Sequence, residues 1–321
     1  MGEGLTDTPE WGGHGRKTGH VPVLLKEAID FLAVQRGGTY IDATVGLGGH
    51  SFEIAKRLGA PGHLIGLDKD PAALDIARQK LGHVEAGNSP ASQHTQTDWP
   101  TITLLHRSFA EIAKGQQRST IDGILADLGM SSMQLNDAAR GFSFQAEGPL
   151  DMRMNPQAEL TAEQVVNQVD EVTLANLIYE FGEERRSRRI ARAIVRSRPI
   201  RTTADLAAVI SAAARPMNPA ERRIHPATRT FQALRIFVND ELKDLRELLK
   251  AAPQLLKPGG RLVIISFHSL EDRIVKDAMR EAAKEGQYKL LTKKPVTAGK
   301  EEIDRNPRSR SAKLRAAEKI S

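Results

Sequence analysis

The chain has 321 residues, of which 40% are hydrophobic and 27% are charged, a balance typical of a folded protein with one or two domains. It contains no cysteine, which excludes disulfides, zinc–thiolate sites, iron–sulfur clusters and a thiol nucleophile, and which fits a cytoplasmic location. The formal net charge of +6 favours a polyanionic partner, and no apolar run approaches the roughly 20 residues of a membrane span.

The first part of the chain predicts an α/β sheet. Residues 1–19 are rich in glycine, threonine and charge, and are expected to form a disordered arm. Residues 20–136 alternate apolar strands with helices, in an order that predicts parallel pairing. The strands are predicted at 39–45, 62–68, 102–106 and 121–127, and a long polar loop is predicted at 82–100.

A second domain is predicted within this sheet. The next buried strand, at 261–267, follows the fourth after far more chain than one crossover helix needs. Helical patterns fill the interval at 162–181, 183–197 and 203–214, so an inserted all-helical domain is predicted at 137–225; the family resemblance given below implies that it binds the substrate. Residues 226–321 are expected to complete the sheet, beginning with a crossover helix at 227–256 and ending in a basic tail after residue 304.

A glycine-rich turn, Gly46-Leu47-Gly48-Gly49, joins the first strand to the following helix. Such a turn lets the backbone approach a ligand, and the helix N-terminus offers free N–H groups. Asp68 ends the second strand, where it can accept hydrogen bonds from ribose hydroxyls. A dinucleotide site requires a glycine where Ser51 stands, so the turn favours S-adenosylmethionine. The alternative is a structural turn without a ligand.

Asp127 ends the fourth strand, and active groups gather beyond the carboxyl ends of parallel strands. Methyl transfer to a base amine needs acceptors that orient the amine, and Asp127 with Ser131 and Ser132 offers them. Asp127 is therefore the candidate catalytic residue, unless it merely caps the next segment. Without cysteine, methylation at pyrimidine C5 by the thiol route is excluded.

A stretch of net charge +6, residues 183–201, predicts contact with the phosphates of a polyanionic partner. Five arginines follow helical spacing and form one stripe, although an ordinary solvated helix face is the alternative. The basic segment 305–321 is a second candidate. The stripe consists of Arg185, Arg188, Arg189, Arg192 and Arg196.

Several segments together resemble the bacterial 16S rRNA cytosine-N4 methyltransferases, which modify a cytidine in the decoding centre. They cover most of the chain from His20 onward. The matching segments are 20–27, 42–50, 127–135, 141–144, 150–153, 225–236, 238–242, 265–273 and 306–315.

This resemblance implies a class I, Rossmann-like methyltransferase sheet with an inserted helical domain, and methylation of 16S rRNA in the small ribosomal subunit. It places Asp127 partly in the cofactor shell, which competes with the catalytic interpretation. Ribose 2′-O methylation and a non-catalytic assembly factor are the alternatives, and the oligomeric state stays open. The implied S-adenosylmethionine contacts are Gly48, Gly49, His50, Asp68, Phe109, Asp127 and Gln134.

The chain departs from other base-amine methyltransferases, which carry two prolines and an aromatic residue after the strand-end acid. Here Leu128 and Gly129 follow Asp127, so the aromatic that stacks on the base must come from elsewhere. Residues 1–19 and 85–97 match no motif of the family. The spacing of the histidines fits no metal site, which favours capping or core hydrogen bonds for His50, His225 and His268. The candidates for stacking are Phe142, Phe144, Phe267 and His268.

Overall fold

The protein is described by a computed structural model covering residues 22–82, 98–214 and 225–320. The predicted arm and the unmatched loop at 85–97 lie outside these ranges. Seven strands form one sheet in the order β3-β2-β1-β4-β5-β7-β6. Their bounds are β1 Thr39–Asp42, β2 His63–Asp68, β3 Thr101–His106, β4 Ile121–Asp127, β5 Leu256–Ser266, β6 Tyr288–Leu290 and β7 Lys313–Lys319.

The first five strands pair in parallel, as the alternating pattern predicts, whereas β7 runs antiparallel between β5 and β6. A parallel sheet is covered on both faces, and β4 illustrates this. Leu125 packs on one face, whereas Ile124 and Ala126 pack on the other. The predicted class I, Rossmann-like sheet is confirmed.

Helices from the first and last parts of the chain cover the two faces of the sheet. The first face packs against α1 and α2, and the second packs against α10 and α11. Among the described residues, no helix is both long and apolar enough to cross a bilayer. The bounds are α1 Leu25–Leu32, α2 Gly49–Leu58, α3 Pro71–Gly82, α10 Glu241–Leu255, α11 Ser269–Lys284 and α12 Lys300–Arg305.

A second apolar core holds the helices between β4 and α10. The predicted helix at 162–181 is divided there, because Asp170 accepts hydrogen bonds from the N–H groups of Val172 and Thr173 and starts a new helix. The bounds are α4 Ser132–Asn136, α5 Ala162–Gln168, α6 Glu171–Gly182, α7 Ser187–Arg196, α8 Thr203–Ala213 and α9 Thr228–Val238.

The predicted crossover helix at 227–256 is two helices, which corrects the sequence interpretation. Between α9 and α10 the chain turns at Asp240, whose φ is +52°. The Asn239 side chain secures the turn by accepting from Met154 N at 2.7 Å and donating to Met152 O at 2.7 Å. Because α9 packs in the helical core through Phe231 and Leu234, this core continues past the predicted boundary at 225.

The predicted basic tail after residue 304 is also wrong, because this segment contains the inner strand β7. Leu314 packs on one face of the sheet and Ala317 on the other. The basic side chains are compensated, since Arg315 Nε donates to Asp272 Oδ1 at 2.7 Å and Lys313 Nζ lies 3.3 Å from Asp272 Oδ2. Compensated charges and small apolar residues therefore build a buried strand that a hydropathy pattern misses.

Candidate active site

A cavity of about 650 Å³ opens at the carboxyl ends of the parallel strands. Its walls come from the turn after β1, the end of β2, the segment after β4 and Phe267 after β5, with residues 305–311 closing the side before β7. This edge gathers the two strand-end acids, Asp68 and Asp127, that the sequence singles out. A cavity of this size fits a nucleoside-sized ligand with part of a second reactant.

Asp68 fastens the glycine turn to the end of β2. Its Oδ2 accepts a hydrogen bond from Gly46 N at 2.7 Å, and its Oδ1 accepts one from Asp70 N at 2.8 Å. Burial raises the pKa of Asp68 to about 6, partly offset by these amides and reinforced by the nearby Asp70. Each carboxylate oxygen keeps a further lone pair, which can accept a hydrogen bond from a ribose hydroxyl.

Two glycines of the turn serve packing as well as ligand access. Gly48 has φ +73°, and a Cβ there would lie 3.4 Å from Ala77 of α3. At Gly49 a Cβ would lie 2.4 Å from Pro22 Cγ. Gly49 borders the cavity, whereas the lining does not include Gly48. The close approaches that these glycines permit are therefore made to other parts of the chain.

Asp127 borders the cavity with a carboxyl group that is only partly exposed. Its Oδ1 is buried and has no hydrogen-bond partner among the described residues, and its N–H donates to Thr44 Oγ1 at 2.6 Å. Burial raises the pKa of Asp127 well above its usual value, and the acids Asp42 and Glu271 add to this effect. A ligand that donates an N–H group or carries positive charge would favour the ionised form.

His50 stands beside Asp127 with its protonation pattern set by the backbone. Its Nε2 lies 3.1 Å from Val23 O, and because a carbonyl only accepts, Nε2 carries the proton. The other nitrogen, Nδ1, lies 3.7 Å from Asp127 Oδ2. This separation is longer than a hydrogen bond, so His50 can stabilise a negative charge at Asp127 only electrostatically and only when the ring carries a second proton.

Asp42, which the sequence did not single out as a site residue, lies beneath the glycine turn. It is buried and accepts from Ser51 Oγ at 2.6 Å and from Thr44 N at 3.1 Å. Burial raises the pKa of Asp42 to about 6, against these two hydrogen bonds. The Ser51 that breaks the dinucleotide pattern therefore holds an acid under the turn.

Gln134 contacts a buried acid rather than only the cavity it borders. Its Nε2 donates to Asp70 Oδ2 at 2.9 Å, and its Oε1 accepts from Ser131 N at 3.0 Å in a capping box. Arg140 Nη1 reaches the same Asp70 oxygen at 2.7 Å. Gln134, a predicted cofactor residue, is therefore held by the capping box of α4 and by Asp70, in the loop that follows Asp68.

The aromatic candidates separate into cavity and core residues. Phe109 borders the cavity beyond β3, where the resemblance places the adenine, and Phe267 borders it on the side of β5. Phe142 is buried in the helical core, and Phe144 stacks on His225 with ring centroids 4.6 Å apart. Of the four candidates for stacking on the base, Phe267 is the one that borders the cavity.

The histidines and their acidic neighbours form hydrogen bonds and ion pairs. His225 Nδ1 accepts from Ala227 N at 3.2 Å, and His268 caps α11. Glu241, His268 and Glu271 bring one possible ligand atom each within 4.8 Å of one another. Arg235 binds Glu241 through two hydrogen bonds, of 2.8 and 3.0 Å, so a guanidinium already supplies positive charge to this cluster.

Four arginines of the stripe lie on the exposed face of α7, and Arg185 precedes this helix, which begins at Ser187 rather than at residue 183. All five arginines are exposed, whereas Ile190 and Ile194 on the opposite face of α7 are buried. Arg192 Nε lies 3.3 Å from Glu171 Oε1, with side-chain exposures of 60% and 40%. The predicted helical spacing therefore holds for the four arginines within α7.

The strand order, the glycine turn and the strand-end acids define a class I S-adenosylmethionine-dependent methyltransferase. The MraW methylase family matches residues 17–320, and the chain belongs to this family. The predicted methyltransferase activity is thereby confirmed.

Two relatives match nearly the whole chain, and both are named ribosomal RNA small subunit methyltransferase H. The protein from Koribacter versatilis is 72% identical over 298 residues, which cover 93% of each chain. The protein from Acidobacterium capsulatum is 61% identical over 300 residues, which cover 94% of this chain and 98% of the relative.

Solved structures are similar at much lower identity. An rRNA methylase from Streptococcus thermophilus has a TM-score of 0.41 at 11% identity, covering 94% of this chain and 100% of that chain. TrmN from Thermus thermophilus has a TM-score of 0.42 at 13% identity, covering 92% of this chain and 48% of that chain. The strand order of this chain, rather than these remote similarities, defines its fold.

Proposed function

We propose that the protein transfers the methyl group of S-adenosylmethionine to the exocyclic N4 amine of a decoding-centre cytidine in 16S rRNA. The names of the relatives support a small-subunit ribosomal RNA as the substrate, and the family resemblance supports the cytidine and its N4 amine. The observation that carries the amine chemistry is that the partly exposed carboxyl group of Asp127 borders the cavity. This substrate favours a location in the cytoplasm.

The residues at the cavity fit the cofactor. Asp68 offers lone pairs to the ribose, Phe109 offers a ring face to the adenine, and the turn at Gly49 and His50 borders the methionine part. Gly48 shapes the turn. Gln134 binds the Asp70 side chain, and the Asp70 N–H in turn donates to Asp68. When bound, S-adenosylmethionine supplies an electrophilic methyl group on a positively charged sulfur.

Asp127 then acts on the acceptor. A carboxylate oxygen that accepts an N–H of the cytosine amine turns the nitrogen lone pair toward the methyl group and stabilises positive charge as it develops. The same oxygen can take the proton that the amine loses. His50, whose Nδ1 lies 3.7 Å from Asp127 Oδ2, would stabilise the ionised carboxylate when its ring is doubly protonated. Positioning and charge stabilisation account for catalysis without a covalent intermediate.

The helical region is proposed to hold the RNA. The exposed arginine stripe on α7 supplies phosphate contacts, which orient a strand without reading its sequence. The target base must leave its stack to reach the cavity, and Phe267 is placed to stack on it.

The test uses 30S subunits from a strain that lacks this enzyme, labelled S-adenosylmethionine, and nuclease digestion to nucleosides followed by mass spectrometry. We expect label in N4-methylcytidine at one decoding-centre position. Label in a 2′-O-methyl nucleoside supports ribose methylation instead. If the 30S subunits stay unlabelled, and if an Asp68→Ala variant still supports normal assembly of 30S subunits, the protein is a non-catalytic assembly factor.

A further inference from the structure

The segment before β7 carries a cavity residue to which the proposed chemistry gives no role. Arg308 belongs to 306–315, one of the segments that resemble the family. It borders the same cavity as Asp127 and Phe267. Its side chain is half-buried, and burial lowers the pKa of Arg308 with no acidic group to offset the effect. The guanidinium of Arg308 is thus partly removed from water at a ligand cavity, and no acidic side chain balances its charge. This arrangement indicates that a bound anion completes the site.

Arg308 differs in this respect from the other arginines of the cavity. Each of those donates to an oxygen of the chain, whereas Arg308 makes no hydrogen bond or ion pair within the described residues. The donor–acceptor pairs are Arg107 with Lys114, Arg235 with Glu241, and Arg305 with Glu301. The donor groups of Arg308 are therefore available to a bound reactant.

The backbone that carries Arg308 is held at both ends. Ser309 is fully buried, and its N–H and hydroxyl both donate to Asn306 O, at 3.0 and 2.8 Å. Ala312, also buried, donates to Ser309 O at 3.0 Å and leads into β7. A side chain mounted on such a fixed turn loses less entropy on binding a ligand.

The position of Arg308 favours the RNA over the cofactor as the source of the anion. Asp68, the proposed ribose contact, ends β2, whereas Arg308 precedes β7, and these two strands are four positions apart in the sheet. At about 4.8 Å between neighbouring strands, β2 and β7 are roughly 19 Å apart. Arg305, which is exposed and also borders the cavity, extends the positive charge to solvent. A strand of phosphodiesters entering the cavity would pass both residues.

We propose that Arg308 binds a backbone phosphate of the RNA next to the target nucleotide and so positions the extruded base. This inference rests on the proposed function. An arginine fork matches two phosphate oxygens, so the contact fixes orientation as well as supplying charge. The acceptor side of the cavity would then combine Phe267 for the base, Asp127 for its amine and Arg308 for the phosphate.

The experiment compares wild type, Arg308→Gln and Arg308→Lys, with Lys250→Gln as a control that removes one exposed positive charge from α10. KM and kcat are measured on 30S subunits at several salt concentrations, and the Kd of S-adenosylmethionine is measured by calorimetry. We expect the KM of Arg308→Gln to rise at least tenfold and its salt dependence to weaken. The cofactor Kd should stay within twofold, and Arg308→Lys should recover part of the KM.

The outcomes are distinct. A raised cofactor Kd with an unchanged KM would assign Arg308 to the cofactor's carboxylate and overturn the phosphate contact. Parameters equal to those of Lys250→Gln would also overturn it. A wild-type protein that leaves 30S subunits unmethylated would refute the proposed function itself, whereas an active wild type with an unaffected Arg308 variant refutes only this inference.

Discussion

Asp127 has two competing interpretations, a catalytic residue that acts on the amine and a contact to the cofactor. The partly exposed carboxyl group borders the cavity and suits an acceptor for an amine N–H, but the same group also lies near the glycine turn and His50. The two roles differ in what they stabilise. A contact made in the transition state changes kcat, whereas a contact with the bound cofactor changes its Kd.

Replacing Asp127 with Asn is expected to lower kcat about 10²-fold, the usual effect of removing one oriented group that stabilises developing charge. The cofactor Kd should change less than threefold. The free energy of unfolding should not fall, because a neutral amide replaces a buried carboxyl with an unsatisfied oxygen. Asp30→Asn on the exposed face of α1 is the matched control. A large rise in Kd with kcat preserved would assign Asp127 to the cofactor.

Asp68 should make cofactor binding dependent on pH. Its pKa, raised by burial to about 6, means that the folded protein without ligand holds this proton more tightly than the unfolded chain. That contribution to stability is fully present below about pH 4 and is lost as the pH rises through 6. Ribose hydroxyls prefer the ionised carboxylate, so affinity should fall about tenfold per pH unit well below 6.

Calorimetric titrations from pH 5 to 8 test this expectation, with Asp68→Asn as the comparison. The variant should bind more weakly at pH 8 and should lose most of the pH dependence. An undiminished slope in the variant would assign the titration to another group, of which Asp42, with a pKa near 6, is the first candidate.

At the scale of elements, α7 separates a buried apolar face from an exposed basic one. The buried residues pack in the helical core, and the five arginines of the stripe face solvent. The burial of its apolar face stabilises α7, so the charged residues on its other face are available for binding. The single arginine of β7 illustrates the contrast, because Arg315 is paired with Asp272 and contributes to the sheet.

The double substitution Arg188→Ala with Arg192→Ala should weaken RNA binding and lower its salt dependence. Two lost contacts reduce the slope of log K against log salt by about 1.4 for single-stranded RNA. Filter binding at several salt concentrations measures both quantities. Lys243→Ala with Lys250→Ala removes two exposed charges from α10 as the control. Equal slopes for the two double variants would argue against the stripe.

At the scale of the molecule, polar contacts join the helical region to the cofactor edge of the sheet. Arg140 binds the fully buried Asp70, and it also donates to the carbonyl oxygens of Arg153 and Met154, each at 2.9 Å. Lys69 donates to Asn239 O at 2.6 Å. The loop after Asp68 is therefore a junction between the two cores.

Arg140→Met should destabilise the protein by about 3 kcal/mol, because it leaves the buried Asp70 carboxylate without its charged partner. Urea unfolding measures the loss. Combining Arg140→Met with Asp70→Asn should restore part of it, since the neutral amide no longer needs a counter-charge. Strictly additive losses in the double variant would mean that the two side chains do not interact energetically.

Several features of the sheet and the site follow from local patterns. The strands ending at Asp68 and Asp127 were predicted because short β-branched runs end in acids, and parallel pairing brings such ends to one edge. The glycine turn is predicted because its glycines stand between the first strand and the following helix. Arg308 could not be assigned to this cavity, because it lies far along the chain and only the antiparallel strand β7 returns it there.

The sequence by itself determined the class I architecture, the cofactor edge and, through its family motifs, the methyltransferase identity, because strand–turn–helix patterns and acids at strand ends are local signals. Only the tertiary structure decided that residues 313–319 form an inner strand, that α9 belongs to the helical core, and that Asp70, Arg140 and Arg308 surround the site. These depend on which distant segments neutralise or bury one another, and no local pattern encodes a partner far along the chain.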